Sequence, residues 1–320
     1  MALTRENFRT LVVANPRSAG GALGRRWTDL ERTISDGFGR FDVCLTTSAG
    51  DAAAITRRAL AEQGYEMVVA MGGDGTISEV VDGFFTADGP VRAEAVLGVL
   101  PFGTGGDFRR TIAAPTSLPE GSRELCGRST RRIDVGRLTY TDAQGAQRIR
   151  HFINIASFGL SGLVDQLVNA GSKRLGGRIS FGVATLRATL RYSAQRARLR
   201  LDDQEPEEVT LQTVAVANGQ FFGGGMRIAP QAQLDDGVFD VVTLGPLTLL
   251  ELLSRMRHVY RGTHVELPGV RLQRARRLQA DPLEPTEPIL LDVDGETPGR
   301  LPALFEVLPA ALRLKCREGA

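Results

Sequence analysis

The sequence predicts an α/β domain with a parallel sheet, followed by a β-rich antiparallel domain. Two patterns in the 320 residues support this fold class. In the first third of the chain, short apolar runs alternate with helical patterns, as in parallel α/β sheets. From about residue 133, runs of alternating apolar and polar residues follow one another, as in antiparallel sheets. We expect the first domain over residues 1–134 and the second over residues 135–302, with residues from about 303 to 320 packing back on the first.

The elements of the first domain alternate between strand and helix. Strands are predicted at Thr10–Asn15, Phe41–Thr46, Glu66–Met71 and Val96–Pro101, and helices at Leu23–Ile34, Asp51–Gln63 and Ile77–Phe85. Parallel sheets bind their ligands beyond the carboxyl ends of the strands. Because glycine-containing loops follow three of these four strands, we expect the loops to form one site.

The second domain is predicted to consist mainly of strands. They are expected at Ile133–Thr139, Arg148–Ala156, Ala197–Asp202, Thr210–Asn218, Phe239–Leu244, Val265–Arg271 and Ile289–Val293. One helix is predicted at Leu247–Tyr260, and the proline-rich acidic segment Asp281–Pro288 indicates a loop.

Composition restricts the class of protein. The chain is 42% hydrophobic and 24% charged, which is typical of a globular protein. Its three cysteines form no C-x-x-C pair, which fits a reducing cytoplasm. We find no apolar core of signal-peptide length and no run of about eighteen uncharged apolar residues. We therefore expect a cytoplasmic protein that does not span a membrane, and no nucleic-acid partner.

The segment Gly72–Thr76, Gly-Gly-Asp-Gly-Thr, is the most informative part of the chain. It follows a buried strand and precedes a helix, so its glycines let backbone amides approach an anion near the positive end of that helix. Asp74 would repel phosphates unless a metal ion or a transferable proton lay between them. The segment therefore predicts a nucleotide with Mg2+, and the alternative is an ordinary Asp-Gly turn.

Four ordered motifs support the nucleotide prediction. They are Asn15-Pro-Arg-Ser18, Gly72–Thr76, Phe102-Gly-Thr-Gly-Gly-Asp-Phe108 and Leu291-Asp-Val-Asp-Gly-Glu296. Neither a Walker A motif nor a dinucleotide-binding G-x-G-x-x-G fingerprint is present. The set resembles the diacylglycerol kinase catalytic-domain family, which includes bacterial diacylglycerol kinases and the sphingosine and ceramide kinases. Gly72–Thr76 alone would also fit NAD kinases and phosphofructokinases.

The resemblance implies a lipid kinase that uses ATP and Mg2+, with diacylglycerol or a related lipid alcohol as acceptor. The residues that it places around the nucleotide are Asn15, Pro16, Arg17, Ser18, Thr46, Gly72, Gly73, Asp74, Gly75, Thr76, Glu79, Gly103, Thr104, Asp107 and Asp134. Asp74, Asp107 and Asp134 match three family carboxylates that form a network around the Mg2+ of the nucleotide. The chain departs from the family at Gly106, where an asparagine is usual, and at Ser161, where many members have aspartate.

Phosphoryl transfer to an alcohol needs a group that orients and deprotonates the hydroxyl. Asp292, Asp294 and Glu296 alternate along the sequence, so in an extended strand they would project to one side and raise one another's pKa. By similarity, Glu296 is the first candidate for the base and Asp294 the second. The role of Asp74, as a residue that organises the metal or as the base, is left open.

A second metal site is implied near the middle of the second domain. In bacterial relatives, the segment that matches Ala229–Val238 binds a structural Mg2+, which implies Gln233, Asp236 and the carbonyl of Val238 as ligands. Oxygen ligands around a glycine turn suit Mg2+. The alternative is an ordinary Asp-Asp-Gly hairpin.

The segment Gly171–Arg200 contains eight basic residues and no acidic one. Apolar residues at helical spacing, from Ile179 to Leu190, predict an amphipathic helix with Arg187 and Arg191 on another face. Such a helix could bind an anionic membrane surface, and the alternative is a solvated face. We expect peripheral membrane association, and a homodimer stays open.

Two other functions compete with the lipid kinase. One is a kinase of a soluble alcohol such as NAD. The other is a nucleotide-binding regulator that has lost catalysis. The carboxylates Asp74, Asp294 and Glu296 argue against the regulator, while Gly106 keeps it open.

Overall fold

The computed structural model of the chain describes residues 7–103, 106–164, 194–284 and 287–317. The chain forms two compact units, one of Met1–Asp134 with Ala310–Ala320 and one of Val135–Pro309. The predicted fold class, an α/β domain with a parallel sheet and a β-rich antiparallel domain, is confirmed. No helix among the described residues is both long and apolar enough to cross a bilayer.

The first unit contains a parallel sheet covered by helices. Its strands are β1 Thr10–Ala14, β2 Asp42–Leu45, β3 Met67–Gly72 and β6 Val96–Pro101, with a small ribbon of β4 Phe85–Thr86 and β5 Gly89–Pro90. Its helices are α1 Ser18–Arg25, α2 Trp27–Phe38, α3 Asp51–Ala61, α4 Asp74–Gly83, α5 Asp107–Thr111 and α6 Leu118–Glu124. The strand order is β6-β3-β1-β2, all parallel. Every residue of β1 and β3 is buried, because helices cover parallel sheets on both faces.

The second unit is built from antiparallel strands and one long helix. Its elements are β7 Thr130–Thr141, β8 Gln147–Phe152, β9 Ile155–Gly159, β10 Gln195–Leu201, β11 Glu207–Leu211, β12 Thr213–Ala217, β13 Phe239–Leu244, α7 Leu249–Arg261, β14 Val270–Ala275, β15 Arg277–Pro282, β16 Leu291–Val293 and β17 Arg300–Lys315. One sheet has the order β14-β13-β12-β9-β16. In the other, β10 pairs with β11 and β15, and β15 pairs with residues 303–306 of β17.

The core of the second unit lies between these two sheets. Phe158 of the first sheet stacks on Phe305 of the second, with ring centroids 5.9 Å apart. In β10 alternate residues are buried, so each strand presents one apolar face to the core. The same alternation places successive polar side chains on the opposite face.

Several element boundaries differ from those expected from the sequence. The predicted helix Leu23–Ile34 is two helices, because the backbone leaves helical geometry at Arg26. The predicted strand Arg148–Ala156 is two strands, β8 and β9. The predicted basic helix around Ile179–Leu190, including Arg187 and Arg191, lies outside the described residues. From Gln195 onward that segment is strand β10.

Candidate active site

Asn15, at the carboxyl end of β1, joins two of the predicted loops. Its backbone amide donates to the carbonyl of Met71, 3.1 Å away, at the end of β3. Its side-chain Nδ2 donates to Oγ1 of Thr76 at 3.2 Å, and its Oδ1 accepts from the amide of Arg17 at 3.0 Å. The Asn15–Ser18 and Gly72–Thr76 loops are therefore adjacent, as ligand loops of a parallel sheet should be.

The Gly72–Thr76 loop needs its glycines for space. A Cβ at Gly72 would lie 2.5 Å from Oγ1 of Thr76, so no side chain fits there without a shift. A Cβ at Gly73 would meet no heavy atom within 4 Å, so the backbone in front of α4 is open. Asp74 is the first residue of α4. An open glycine backbone beside a helix N-terminus fits a phosphate group.

The loop after β6 packs directly on this glycine loop. The amide of Phe102 donates to the carbonyl of Gly72 at 2.8 Å. A Cβ at Gly103 would lie 2.9 Å from the Cα of Gly73, so the two backbones meet where only glycine fits. Thr104 lies outside the described residues. The structure thus brings together three of the predicted loops.

Asp74 links two of these loops through its carboxylate. Its Oδ2 accepts from the amide of Asp107 and its Oδ1 from the amide of Phe108, both at 3.2 Å, at the start of α5. The carboxylate of Asp107 is buried and pairs with Arg110 at 2.9 Å. Each carboxylate oxygen can accept more than one bond. Asp74 can therefore hold these amides and still ligate a Mg2+ ion, so its surroundings fit the implied metal.

Thr46 and Glu79 lie at the same edge of the sheet. The amide of Thr46 donates to the carbonyl of Ala14 at 3.0 Å, at the end of β1. Oε2 of Glu79 accepts from the amide of Ala52 at 3.2 Å, in the first turn of α3. Both residues fix the positions of loops and helix starts at the carboxyl ends of the strands.

Asp134 holds the C-terminal strand of the first unit. Its side chain is 1% exposed, and Oδ1 accepts from the amide of Ala310 at 2.7 Å. The prediction that Asp134 belongs to a metal network stays a prediction. In the described residues, Asp134 anchors the backbone of β17 at Ala310.

In the second unit, the prediction that Asp292, Asp294 and Glu296 project to one side of an extended strand is wrong. Strand β16 ends at Val293, and the next two residues, Asp294 and Gly295, have φ of 49° and 88°. The amide of Val293 donates to the carbonyl of Glu296 at 2.8 Å, and the reverse bond is 3.0 Å long. The chain reverses because Asp-Gly suits the left-handed positions of a two-residue hairpin turn.

A relay of hydroxyl groups leads to Asp292, which is 4% exposed. Ser157, its cross-strand partner on β9, lies with Oγ 2.8 Å from Oδ2 of Asp292 and 2.8 Å from Oγ of Ser161. A hydroxyl has one proton and a carboxylate only accepts, so Ser157 donates to Asp292 and accepts from Ser161. The amide of Gly295 donates to Oδ1 of Asp292 at 2.9 Å. Asp292 therefore fixes the hairpin turn from inside.

The two predicted base candidates are held in different ways. Oδ1 of Asp294 accepts from the amide of Ile155 at 3.1 Å. The carboxylate of Glu296, 37% exposed, pairs at 2.7 Å with Arg150, whose side chain is only 15% exposed. Sequence reasoning missed Arg150 and Ser157, because only the pairing of distant strands brings them to these carboxylates.

The implied metal segment Ala229–Val238 contains an arginine contact. Arg274 forms an ion pair with Asp236, and its Nε lies 3.4 Å from Oδ1 of the buried Asp240. Burial raises the pKa of Asp240. The nearby carboxylate of Asp236 also raises this pKa, whereas the charge of Arg274 lowers it. The amide of Val238 donates to Oδ1 of Asp236 at 3.3 Å.

In this structure, the carboxylates of the segment are engaged with a guanidinium group. Gln233 is exposed, and Asp236 is already neutralised by Arg274. In the part of the chain that the structure describes, no three or more His, Cys, Asp or Glu residues form a group that could hold a metal, and this includes Asp74, Asp107 and Asp134. Mg2+ at Gln233, Asp236 and Val238 stays a prediction, and no chemical step is derived from it.

Two family models match the chain in succession. The model described as "Diacylglycerol kinase catalytic domain" matches residues 9–138. The model described as "YegS C-terminal NAD kinase beta sandwich-like domain" matches residues 154–316. Together they cover both units and all four sequence motifs.

Curated relatives and solved structures agree with these matches. The chain is 28% identical over 298 residues to a diacylglycerol kinase of Staphylococcus carnosus, covering 93% of this chain and 91% of the relative. It is 29% identical to a probable lipid kinase YegS-like protein of Chromohalobacter salexigens, over 87% of this chain and 84% of the relative. A solved structure from Bacillus anthracis str. Sterne matches with a TM-score of 0.76 at 20% identity, covering 99% of this chain and 98% of that chain. A structure of a diacylglycerol kinase from the same organism matches with a TM-score of 0.69 at 19% identity, covering 98% of this chain and 99% of that chain.

Proposed function

The chain belongs to the diacylglycerol kinase catalytic-domain family of lipid kinases, and from this membership we propose that it transfers the γ-phosphate of ATP to a lipid hydroxyl. The acceptor that we propose is diacylglycerol or a related lipid alcohol. One observation carries the proposal. Three loops meet at the carboxyl ends of parallel strands. Gly103 of one loop packs on Gly73 of another, and Asp74 accepts hydrogen bonds from two amides of the loop after β6.

The first unit binds the nucleotide in this proposal. The open backbone at Gly73 and the start of α4 receive the phosphates, while the bond from Asn15 to Thr76 fixes the spacing of two loops. Mg2+ held by Asp74 and Asp107 would neutralise the phosphate charge. Gly106 supplies no side-chain amide to this loop, so its contacts to the nucleotide come from the backbone.

The second unit supplies the base. Glu296 is 37% exposed and can reach a substrate hydroxyl, whereas Asp292 is 4% exposed and serves to hold the turn. Arg150 fixes the position of the Glu296 carboxylate through an ion pair of 2.7 Å, so that the carboxylate can receive a proton from a substrate hydroxyl. Asp294 is the second candidate, because its Oδ1 is engaged with the Ile155 amide.

The proposed enzyme works at a membrane, because its acceptor lipid resides there. We propose peripheral association with an anionic membrane surface on the cytoplasmic side. A homodimer stays a prediction.

Labelled phosphate tests the proposal. The purified chain is incubated with Mg2+ and ATP labelled in the γ-phosphate, and separately with diacylglycerol vesicles, a total lipid extract and NAD. We expect label in a lipid product and none in NAD. Label in NAD alone would identify a kinase of a soluble alcohol, and no label in any acceptor would favour the nucleotide-binding regulator.

A further inference from the structure

Helix α7, Leu249–Arg261, is held firmly at both ends. Thr248 and Glu251 form a capping box, in which the hydroxyl of Thr248 accepts from the amide of Glu251 and the carboxylate of Glu251 accepts from the amide of Thr248. At the other end, Gly262 ends the helix with φ of 76°. Val259 packs against an apolar cluster of the second unit. The face that α7 turns to solvent is therefore fixed.

That solvent face is apolar where a surface helix is normally polar. Leu250 is 79% exposed, Leu253 58% and Tyr260 46%. Three of the six large apolar side chains that are exposed in the described residues lie on this one helix. At helical spacing they share one stripe with Arg257 and Arg261, which are also exposed. We call these five residues the α7 stripe.

The charge of the stripe is positive. No carboxylate lies within 4.0 Å of the guanidinium of Arg257 or Arg261 in the described ranges. The acidic residue of the helix, Glu251, is engaged in the capping box and lies 4.0 Å from Arg255. Arg257 and Arg261 therefore present their charge to solvent.

We propose that the α7 stripe docks on the surface of an anionic lipid bilayer. The leucines would enter the boundary between headgroups and acyl chains, the arginines would contact lipid phosphates, and Tyr260 would lie at the interface. This proposal rests on the proposed function, because a lipid acceptor requires the enzyme to reach a membrane. A second copy of the chain fits less well, since a symmetric contact would bring two sets of arginines together.

Vesicle sedimentation of the full chain tests the proposal. Vesicles of phosphatidylglycerol with phosphatidylcholine are compared with vesicles of phosphatidylcholine alone. The test variants are Leu250→Ser with Leu253→Ser, and Arg257→Glu with Arg261→Glu. The matched controls are Ile149→Ser, an exposed apolar residue of the same unit, and Arg26→Glu with Arg58→Glu, exposed arginines between α1 and α2 and on α3.

We expect the parent chain to pellet with the anionic vesicles and less with the neutral ones. The leucine variant should need a lipid concentration at least about tenfold higher to pellet. The reason is that burying one leucine changes the constant for partition between water and the bilayer by about that factor. The arginine variant should lose the preference for anionic vesicles and the sensitivity to salt. Both controls should pellet like the parent chain.

Activity separates this proposal from the proposed function. Phosphorylation of long-chain lipid in vesicles should fall in both test variants, while a short-chain lipid dispersed in water should be phosphorylated at the parental rate. If no variant and no parent phosphorylates any lipid, the proposed function fails. If the leucine variant pellets like the parent, the stripe is not a membrane surface. The same holds if the substitutions convert a dimer into a monomer in sedimentation velocity while pelleting stays unchanged.

Discussion

In the proposed function, Asp74 has two roles that one substitution can separate. Asp74→Asn keeps the shape of the side chain and one oxygen that can accept from the amide of Asp107 or Phe108, but it removes the charge that a metal needs. We expect the rate of phosphoryl transfer to fall by about 100-fold or more, the scale of a lost electrostatic contact in a transition state. The chain should still fold, with a lower melting temperature, because one of the two amides loses its acceptor. A parental rate in this variant would contradict the phosphate-site proposal.

Glu296→Gln tests the proposed base. The amide keeps the size of the side chain and loses the proton acceptor, so single-turnover rates should fall by about 100-fold or more while nucleotide affinity stays the same. Glu306→Gln is the matched control, because Glu306 forms an equally short ion pair of 2.7 Å with Arg137 in the same unit. An equal fall in Asp294→Asn would show that the two carboxylates act together. An unchanged rate in Glu296→Gln would exclude it as the base.

Ser157→Ala tests the relay to Asp292. The buried carboxylate loses its hydroxyl donor, and a buried group left short of a hydrogen bond costs about 1–3 kcal/mol. We expect that loss in the free energy of unfolding measured with urea. Ser161→Ala is the control, since Ser157 can still donate to Asp292. Equal losses in the two variants would contradict the inference that Ser157, rather than Ser161, is the residue whose hydroxyl stabilises Asp292.

At this scale, the sequence predicts which loops lie together better than it predicts the contacts of single side chains. The glycine loops and Asp74 could be identified from residue types, because only glycine permits such close backbone approach. The Asp294-Gly295 pair is a turn signal that was present in the sequence, yet the alternation of carboxylates pointed to a strand. Arg150 could not be identified, because its contact to Glu296 depends on how strands far apart in sequence pair.

Among the elements, buried parallel strands were the most predictable. The predicted Val96–Pro101 agrees with β6, the strand expected near β1 differs by one residue at one end, and those expected near β2 and β3 differ by one residue at both ends. Short apolar runs that end at turn signals and alternate with helical patterns indicate such strands. The short helices α5 and α6 were not predicted, because five to seven residues give too little periodicity.

The short 3-10 helix His264–Glu266, which follows α7, contains a pH-sensitive group. Burial lowers the pKa of His264 from its ordinary value of 6.5. Its neutral form is therefore favoured in the folded state, and the unfolded state binds more protons below about pH 6.5. Stability contributed by the neutral ring is present above that pH and is lost as the pH falls towards the folded pKa.

We expect the free energy of unfolding to decrease as the pH is lowered from 7 to 5. His264→Gln keeps a donor for the carbonyl of Ile228, which now lies 3.0 Å from Nε2 of His264, and it removes the titrating group. The pH slope should become shallower in this variant when urea unfolding is repeated across the same range. An identical slope would show that other groups set the pH dependence.

For the whole molecule, periodicity was enough to predict the fold class. Helical patterns between apolar strands dictate a parallel sheet, and alternating runs dictate an antiparallel one. We expected residues from about 303 to 320 to pack back on the first domain, but the pairing of Arg313 and Leu314 in β17 with Val96 and Leu97 in β6 could not be read from sequence. Such a pairing depends on the course of the chain through more than two hundred intervening residues.

The pairing of β17 with β6 has a consequence for the order in which the protein is made. The first unit includes residues Ala310–Ala320, with the amide that Asp134 binds and the buried Leu312 and Leu314. On a ribosome, the second unit, which is continuous in sequence, has emerged complete before the first unit receives its last strand. We expect a nascent chain arrested after Pro309 has left the exit tunnel to resist protease over residues 135–309 and to be cleaved within residues 1–134. Arrest about ten residues later should protect both units from the protease. The unit whose synthesis begins first would therefore be the last to fold.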